Sequence, residues 1–292
     1  MINTWPSPAK INLFLYVTGI RSDGYHYIQS LFQFLNYGDT LTIIPNTKGT
    51  IELFTESNSL VNIKNSIITA AELLKEKALH SLGKKTSHFG AKIFLNKKIP
   101  IGSGLGGGSS NAATTLVVLN NLWKTKFTLQ ELAELSLKIG SDIPAFIMGK
   151  TTIVEGIGEI LYPIHRKEKW YLIVYPNISI STKNIFSIYS IKKNTIKKPI
   201  DFLLRSRFHN DFENVIKKKF KKIKQLISML SLYAPSRITG TGSCIFAEFN
   251  DKKSAQKIHS LLPHNVQGTI VKSVNVSPLH HAFYKKNINL FN

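Results

Sequence analysis

Cysteine is nearly absent from this 292-residue chain. Cys244 stands alone, which excludes an intramolecular disulfide framework and any thiolate metal cluster built within one chain, and implies a reducing compartment, the cytoplasm. Acidic residues are also scarce, 17 against 38 lysines and arginines, for a formal net charge of +21. Long apolar runs are missing, so no segment is expected to span a bilayer. The N-terminal MINTWPSPAKINLFLYV lacks the basic-then-apolar plan and small-residue cleavage site of a signal peptide. The nine histidines form no H-E-x-x-H or comparable pair, so no protein-held metal is expected, and His280 and His281 would face apart on a strand. No solenoid-length repeat, heptad array or low-complexity tract interrupts the chain. What is present is 43% hydrophobic and 10% aromatic residues, enough for a real core and two domains of ordinary size.

A positive excess of this size suits nucleic acid, anionic lipid or an acidic ligand. Its distribution argues against the first two. The densest run, KKKFKKIK at residues 217–224, interleaves with Ile216, Phe220, Ile223, Ile227 and Leu230, the spacing of one buried helical face. The lysines then fall on the solvated side, where their stems can snorkel. Neither a nucleic-acid nor a membrane partner is therefore expected, and no motif speaks to oligomeric state.

Strands and helices alternate along the chain. Residues 11–17, 40–44 and 91–95 read as strands, as do 170–175, 245–249 and 269–276. Thr128 and Glu131 make a capping-box pattern ahead of Leu132, Leu135 and Ile139, with Gly140 as the stop. Asp142, two residues before Pro144, reads as the N-cap of a further helix. Residues 211–233 hold the amphipathic lysine helix, and 254–262 another. The class is α+β, with a domain junction near residue 160 that separates 1–160 from 161–292.

Between the third strand and a helix lie Pro100, Ile101, Gly102, Ser103, Gly104, Leu105, Gly106, Gly107, Gly108, Ser109 and Ser110. Glycine permits positive φ and close backbone approach. Successive N–H groups can then point into one concavity, while the following helix N-terminus adds partial positive charge. Phosphate is the guest this suits; a flexible linker or tight turn is the bland alternative. Ser109 and Ser110 are helix-capping types. The loop lacks the lysine of a Walker A element. A G-x-G-x-x-G spacing can be traced through Gly102, Gly104 and Gly107, but no acidic ribose partner follows where a Rossmann fingerprint needs one.

Three ordered motifs carry a resemblance: P-x-P-A-K-I-N at residues 6–12, the glycine loop, and T-G-T-G-S at 239–243. Together they resemble the GHMP kinase superfamily. R-S-D-G-Y-H at 21–26 and L-F-Q-F at 31–34 extend the match toward members that act on a cytidylated methylerythritol. The resemblance implies a two-domain GHMP kinase fold, with an N-terminal domain like domain 2 of ribosomal protein S5 and a ferredoxin-like C-terminal domain. It implies transfer of the ATP γ-phosphoryl group to the C2 hydroxyl of 4-diphosphocytidyl-2-C-methyl-D-erythritol, in the non-mevalonate route to isoprenoid precursors. Mg²⁺ is expected with ATP, without a protein ligand that can be named.

Site residues follow from the same resemblance. Asp142 corresponds to the family's catalytic aspartate and would accept the hydroxyl proton, while Lys10 would orient that carboxylate or polarise the hydroxyl. Tyr25, His26 and Phe186 match the cytosine pocket, in keeping with a ring that wants aromatic faces and a polar reader. Asn12 would contact the substrate near the reacting hydroxyl, and Asn65 matches an adenine-side position. Taken singly, Asp142 reads as a plain N-cap, Lys10 as a surface lysine and residues 239–243 as a tight turn. The rival functions are another GHMP small-molecule kinase and a basic nucleic-acid-binding protein.

Overall fold

Apolar and β-branched residues carry the first strand well past residues 11–17. In the computed structural model, which describes residues 4–56, 65–83, 86–188, 196–288 and 290, β1 spans Thr4–Ile20 and pairs antiparallel with the still longer β2, His26–Asn46. There follow β3 (Ile51–Thr55), α1 (Ser66–Leu82), β4 (Gly90–Asn96), α2 (Gly107–Leu122), α3 (Leu129–Ser136), α4 (Ile143–Met148), β5 (Thr152–Glu155) and β6 (Ile160–Pro163). The second half runs β7 (Trp170–Tyr175), α5 (Thr182–Ile188), α6 (Ile200–Arg205), α7 (Glu213–Lys219), α8 (Lys221–Ser231), β8 (Ser236–Ile238), β9 (Ile245–Phe249), α9 (Lys252–His259), β10 (Gln267–Val274) and α10 (Pro278–Lys285).

β2 is the hub. It pairs with β1, β4, β5 and β10, and the main path of the sheet runs β3-β4-β2-β10-β7-β9-β8. Every pairing is antiparallel except β3 with β4, where α1 supplies the crossover a parallel pair requires. Three large apolar clusters hold the layers together. One lies under α1 to α4 and includes Ile67, Leu74, Leu116 and Phe146; one fills the second half around Leu172, Phe212 and Leu230. The third joins the two halves, since Ile11, Leu13 and Leu31 share it with Tyr171, Ile173 and Phe246. The chain's last helix returns to the first cluster through Leu279 and Phe283, with Phe283 stacked on Trp5 at 4.4 Å.

Two expectations need correction. The single helix over residues 211–233 is two, because Phe220 adopts an extended φ of −123° and ψ of 92° between α7 and α8. Ile216, Ile223, Ile227 and Leu230 are still buried, and Lys218, Lys219, Lys221 and Lys224 are exposed, so the lysines do occupy the solvated side. His280 and His281 lie on α10 and not on a strand; His280 is buried and His281 exposed. Among the described residues, no helix is long and apolar enough to cross a membrane.

Candidate active site

The glycine loop leaves β4 and turns into α2 at Gly107. The N-cap of α2 is Gly106, in the left-handed region at φ 75°, with no side-chain cap. Ser109 and Ser110 therefore do not cap this helix but lie within its first turn, a correction with a chemical consequence. The first N–H groups of α2 keep no side-chain acceptor, which suits an anion. Gly102 and Gly104 also take positive φ, 65° and 78°. A Cβ on Gly104 would stand 2.2 Å from the Thr239 carbonyl oxygen.

That contact belongs to residues 239–243, which back the loop. Thr239 Oγ1 donates to the Gly104 carbonyl (3.2 Å), and the Cys244 N–H donates to the Ser103 carbonyl (2.9 Å). The loop and this turn thus share one hydrogen-bonded unit, with Ile180 N–H on Gly102 (3.3 Å) joining from the second half. All of residues 100–109 except Leu105 line a cleft of about 1000 Å³, a volume suited to small ligands. Leu105 is buried in the apolar cluster between the halves, and its carbonyl accepts the Lys10 N–H at 3.0 Å. Ser110 is likewise turned inward, accepting from Ser7 Oγ at 3.0 Å. Asn65 lines the cleft as the N-cap of α1, its side chain accepting from Ile67 N–H at 2.9 Å.

Lys10 and Asn12 alternate onto one face of β1. Lys10 is buried at 3% exposure, far from the surface position a lone lysine suggests. Its ammonium lies 3.2 Å from Asp142 Oδ2, 2.5 Å from Asn12 Oδ1 and 4.5 Å from the centre of the Phe32 ring. Asn12 is fixed in turn: its Nδ2 donates to Ser30 Oγ (2.8 Å), leaving Oδ1 to face the ammonium. Asp142 does stand at the N-cap position of α4, with Pro144 at the helix start, but its backbone is helical and its side chain makes no cap hydrogen bond. The carboxylate turns to Lys10 and keeps 31% exposure toward the cleft.

His26 and Phe186 also line the cleft, packed with ring centres 4.7 Å apart, and Phe212 supports Phe186 edge-on. Tyr25 is 57% exposed beside them. Burial holds the His26 imidazole below its ordinary pKa, against a hydrogen bond with the Gly24 backbone that raises it, and its buried Nε2 has no hydrogen-bond partner among the described residues. A neutral imidazole with one open nitrogen can read a polar ring edge.

Several lining residues were invisible in the sequence. Lys97 lies in the cleft beside Gly107, yet its Asn96-Lys97-Lys98 setting signals only a turn. Lys183 and Thr182 arrive with Phe186 on α5, which has too few periodic residues to announce itself. Thr182 Oγ1 meets Thr241 Oγ1 at 3.0 Å. The described residues contain no group of three or more histidine, cysteine, aspartate or glutamate side chains able to hold a metal ion.

Comparison with known proteins matches this geometry to a family. Residues 65–150 match the GHMP kinases N terminal domain and residues 187–265 the GHMP kinases C terminal domain. Over 286 residues, 98% of this chain and 100% of the relative, it is 64% identical to 4-diphosphocytidyl-2-C-methyl-D-erythritol kinase of Buchnera aphidicola subsp. Acyrthosiphon pisum (strain APS). A crystal structure of 4-(cytidine 5'-diphospho)-2C-methyl-D-erythritol kinase superposes with a TM-score of 0.77 at 25% identity, covering 92% of this chain and 98% of that one. The mevalonate kinase of Methanococcus jannaschii shares the fold, with a TM-score of 0.63 at 20% identity over 94% and 98% of the two chains.

Proposed function

The chain belongs to the GHMP kinases, and we propose on that footing that it phosphorylates the C2 hydroxyl of 4-diphosphocytidyl-2-C-methyl-D-erythritol with ATP. The products are the 2-phosphate and ADP, in the non-mevalonate route to isoprenoid precursors. One observation carries the reading: the glycine loop, the Lys10–Asp142 pair and the His26–Phe186 pair all line the same cleft.

In this reading the backbone N–H groups of the loop and the head of α2 hold the ATP phosphates, and Asn65 flanks the adenine. Tyr25, His26 and Phe186 hold the cytosine. Asn12 sits by the reacting hydroxyl. As that oxygen bonds to the γ-phosphorus and the bond to the bridging oxygen of ADP breaks, Asp142 takes the hydroxyl proton. Lys10 keeps the carboxylate aimed, and its charge offsets that gathering on the transferred group. Mg²⁺ bound with ATP supplies further charge neutralisation. Asp23 and Asp142 are the carboxylates of the cleft, and Asp23 is already paired with Arg21 at 2.7 Å. Asp142 is paired in the same way with Lys10 at 3.2 Å, so neither carboxylate is free, which fits an ion carried mainly by phosphate and water. The functional division falls near residue 160: residues 1–160 supply the loop and the Lys10–Asp142 pair, and 161–292 supply Phe186.

A phosphorylation assay tests this. Turnover is expected with the cytidylated acceptor and not with uncytidylated methylerythritol phosphate, mevalonate or homoserine. Equal use of the uncytidylated acceptor would remove the cytosine pocket from the account.

A further inference from the structure

The phosphate loop is only as useful as its shape is fixed, and besides residues 239–243 behind it, an anchor for its two ends lies on β2. Asp39 is 1% exposed and its carboxylate accepts from four donors. Oδ1 takes the backbone N–H groups of Lys98 (2.7 Å) and Ile99 (2.8 Å), the last residues before the loop. Oδ2 takes the Lys97 ammonium (2.5 Å) and the Asn111 side-chain amide (3.0 Å), and Asn111 lies one turn into α2, just past the loop. Resting on the proposed kinase reading, we infer that Asp39 is a positioning residue for ATP: one carboxylate ties down both ends of the glycine loop and so sets the width of the phosphate cradle.

The surroundings are built to hold that carboxylate still. The β1–β2 pair is so close here that a Cβ on Gly38 would stand 2.2 Å from the Ser7 carbonyl oxygen. Ser7 Oγ accepts the second Asn111 hydrogen bond (2.8 Å) and donates to Ser110 Oγ (3.0 Å), so the start of α2 is anchored to β1 as well. No atom of Asp39 lines the cleft. It acts through the backbone it holds.

An isosteric Asp39→Asn change separates this role from plain electrostatics. With its oxygen on the two backbone N–H groups, the new amide would point its NH₂ at Lys97 and Asn111, donor against donor, and the helix-side anchor is lost. Coulomb's law pulls the opposite way. Asp39→Asn also leaves the Lys97 charge uncompensated beside an anion site, which taken alone would tighten ATP binding. Weaker binding therefore reports geometry.

The test is calorimetric titration of ATP, without acceptor, into the parent, Asp39→Asn and Asn111→Leu proteins, alongside the KM for the cytidylated acceptor. Asp39→Asn should weaken ATP binding about tenfold or more, Asn111→Leu should weaken it in the same direction, and the acceptor KM should stay within about twofold. Mere loss of folded protein lowers the active fraction and moves neither constant. ATP binding in Asp39→Asn within about twofold of the parent, or tighter, overturns the inference, as does an equal loss for ATP and acceptor. If Asp39→Asn does not fold, Asn111→Leu decides by the same criteria. A parent that binds no ATP would instead sink the kinase reading, and the inference with it.

Discussion

The Lys10 ammonium stands 3.2 Å from Asp142 Oδ2, though one residue sits mid-strand in β1 and the other heads α4. The two ends of this pair are not alike. Lys10 is almost fully enclosed, between Asn12, Phe32 and the ring of Phe146 behind Gly106, whereas a third of Asp142 faces the cleft. A buried cation that holds a half-open carboxylate is suited to aiming a base at a substrate hydroxyl.

Removing the cation should therefore cost turnover more than stability. Lys10→Met is expected to lower kcat by about 100-fold or more, with ATP KM little changed, since base alignment and charge stabilisation act in the transition state. Lys10→Arg should not rescue it, because Lys10 is 3% exposed and enclosed by Asn12, Asp142 and the Phe32 ring, and a planar guanidinium needs more room. Steady-state kinetics of both variants check this; a Lys10→Met enzyme with near-parental kcat would contradict it.

Phe186→Ala should act on the other substrate. Losing a stacked aromatic face is worth about 0.5–1.5 kcal/mol, so the KM for the cytidylated acceptor should rise about two- to tenfold. ATP KM should not move. A change confined to ATP would place the cytosine elsewhere.

Gly104→Ala tests the union of the loop with residues 239–243. Gly104 has φ 78° and no room for a Cβ against Thr239. The left-handed conformation alone costs about 1–2 kcal/mol for an L-residue with a side chain. Thermal unfolding should shift down by several degrees and ATP KM should rise; parental values for both would show that the loop is less constrained than its contacts imply.

Acid should destabilise the protein through its buried histidines. Burial pushes the His280 imidazole below its ordinary pKa, opposed by its hydrogen bond to the Ile147 carbonyl (2.8 Å), with Lys150 and His281 adding to the depression. The folded state then binds fewer protons than the unfolded chain, whose histidines titrate near about 6.5. Stability is full above that pH and falls as pH drops from there toward the depressed folded value. His26 has the same sign. Melting temperature should be flat from pH 8 to about 7 and decline below about 6.5, less steeply in His280→Gln; equal slopes in both proteins would contradict the assignment.

Much of this fold can be read from the chain because local signals agree with the tertiary result. β7 and β9 match their expected limits, and the Thr128–Glu131 capping box forms as a reciprocal pair. The β1–β2 hairpin is longer than expected: residues 26–39, with Leu31, Phe32, Phe34 and Leu35 buried, extend β2 ahead of the expected 40–44, and β1 runs beyond 11–17 at both ends. α5 and α10 went unseen because each is short and anchored by tertiary contacts: Phe186 on Phe212, Phe283 on Trp5. The site divides similarly. Motif residues such as Lys10, Asp142 and His26 were named from pattern, but nothing in the pattern says that Asp142 forgoes its cap or that Asp39 holds the loop. Those facts exist only once β2, β4 and α2 are packed.

The central claim, that Asp142 is the base for an acceptor hydroxyl while the glycine loop holds ATP, is tested most directly by Asp142→Asn. The amide keeps the shape and cannot take a proton. The account predicts a fall in kcat of about 100- to 10,000-fold with ATP affinity, measured by titration, within about twofold of the parent. Turnover near the parental rate would contradict it.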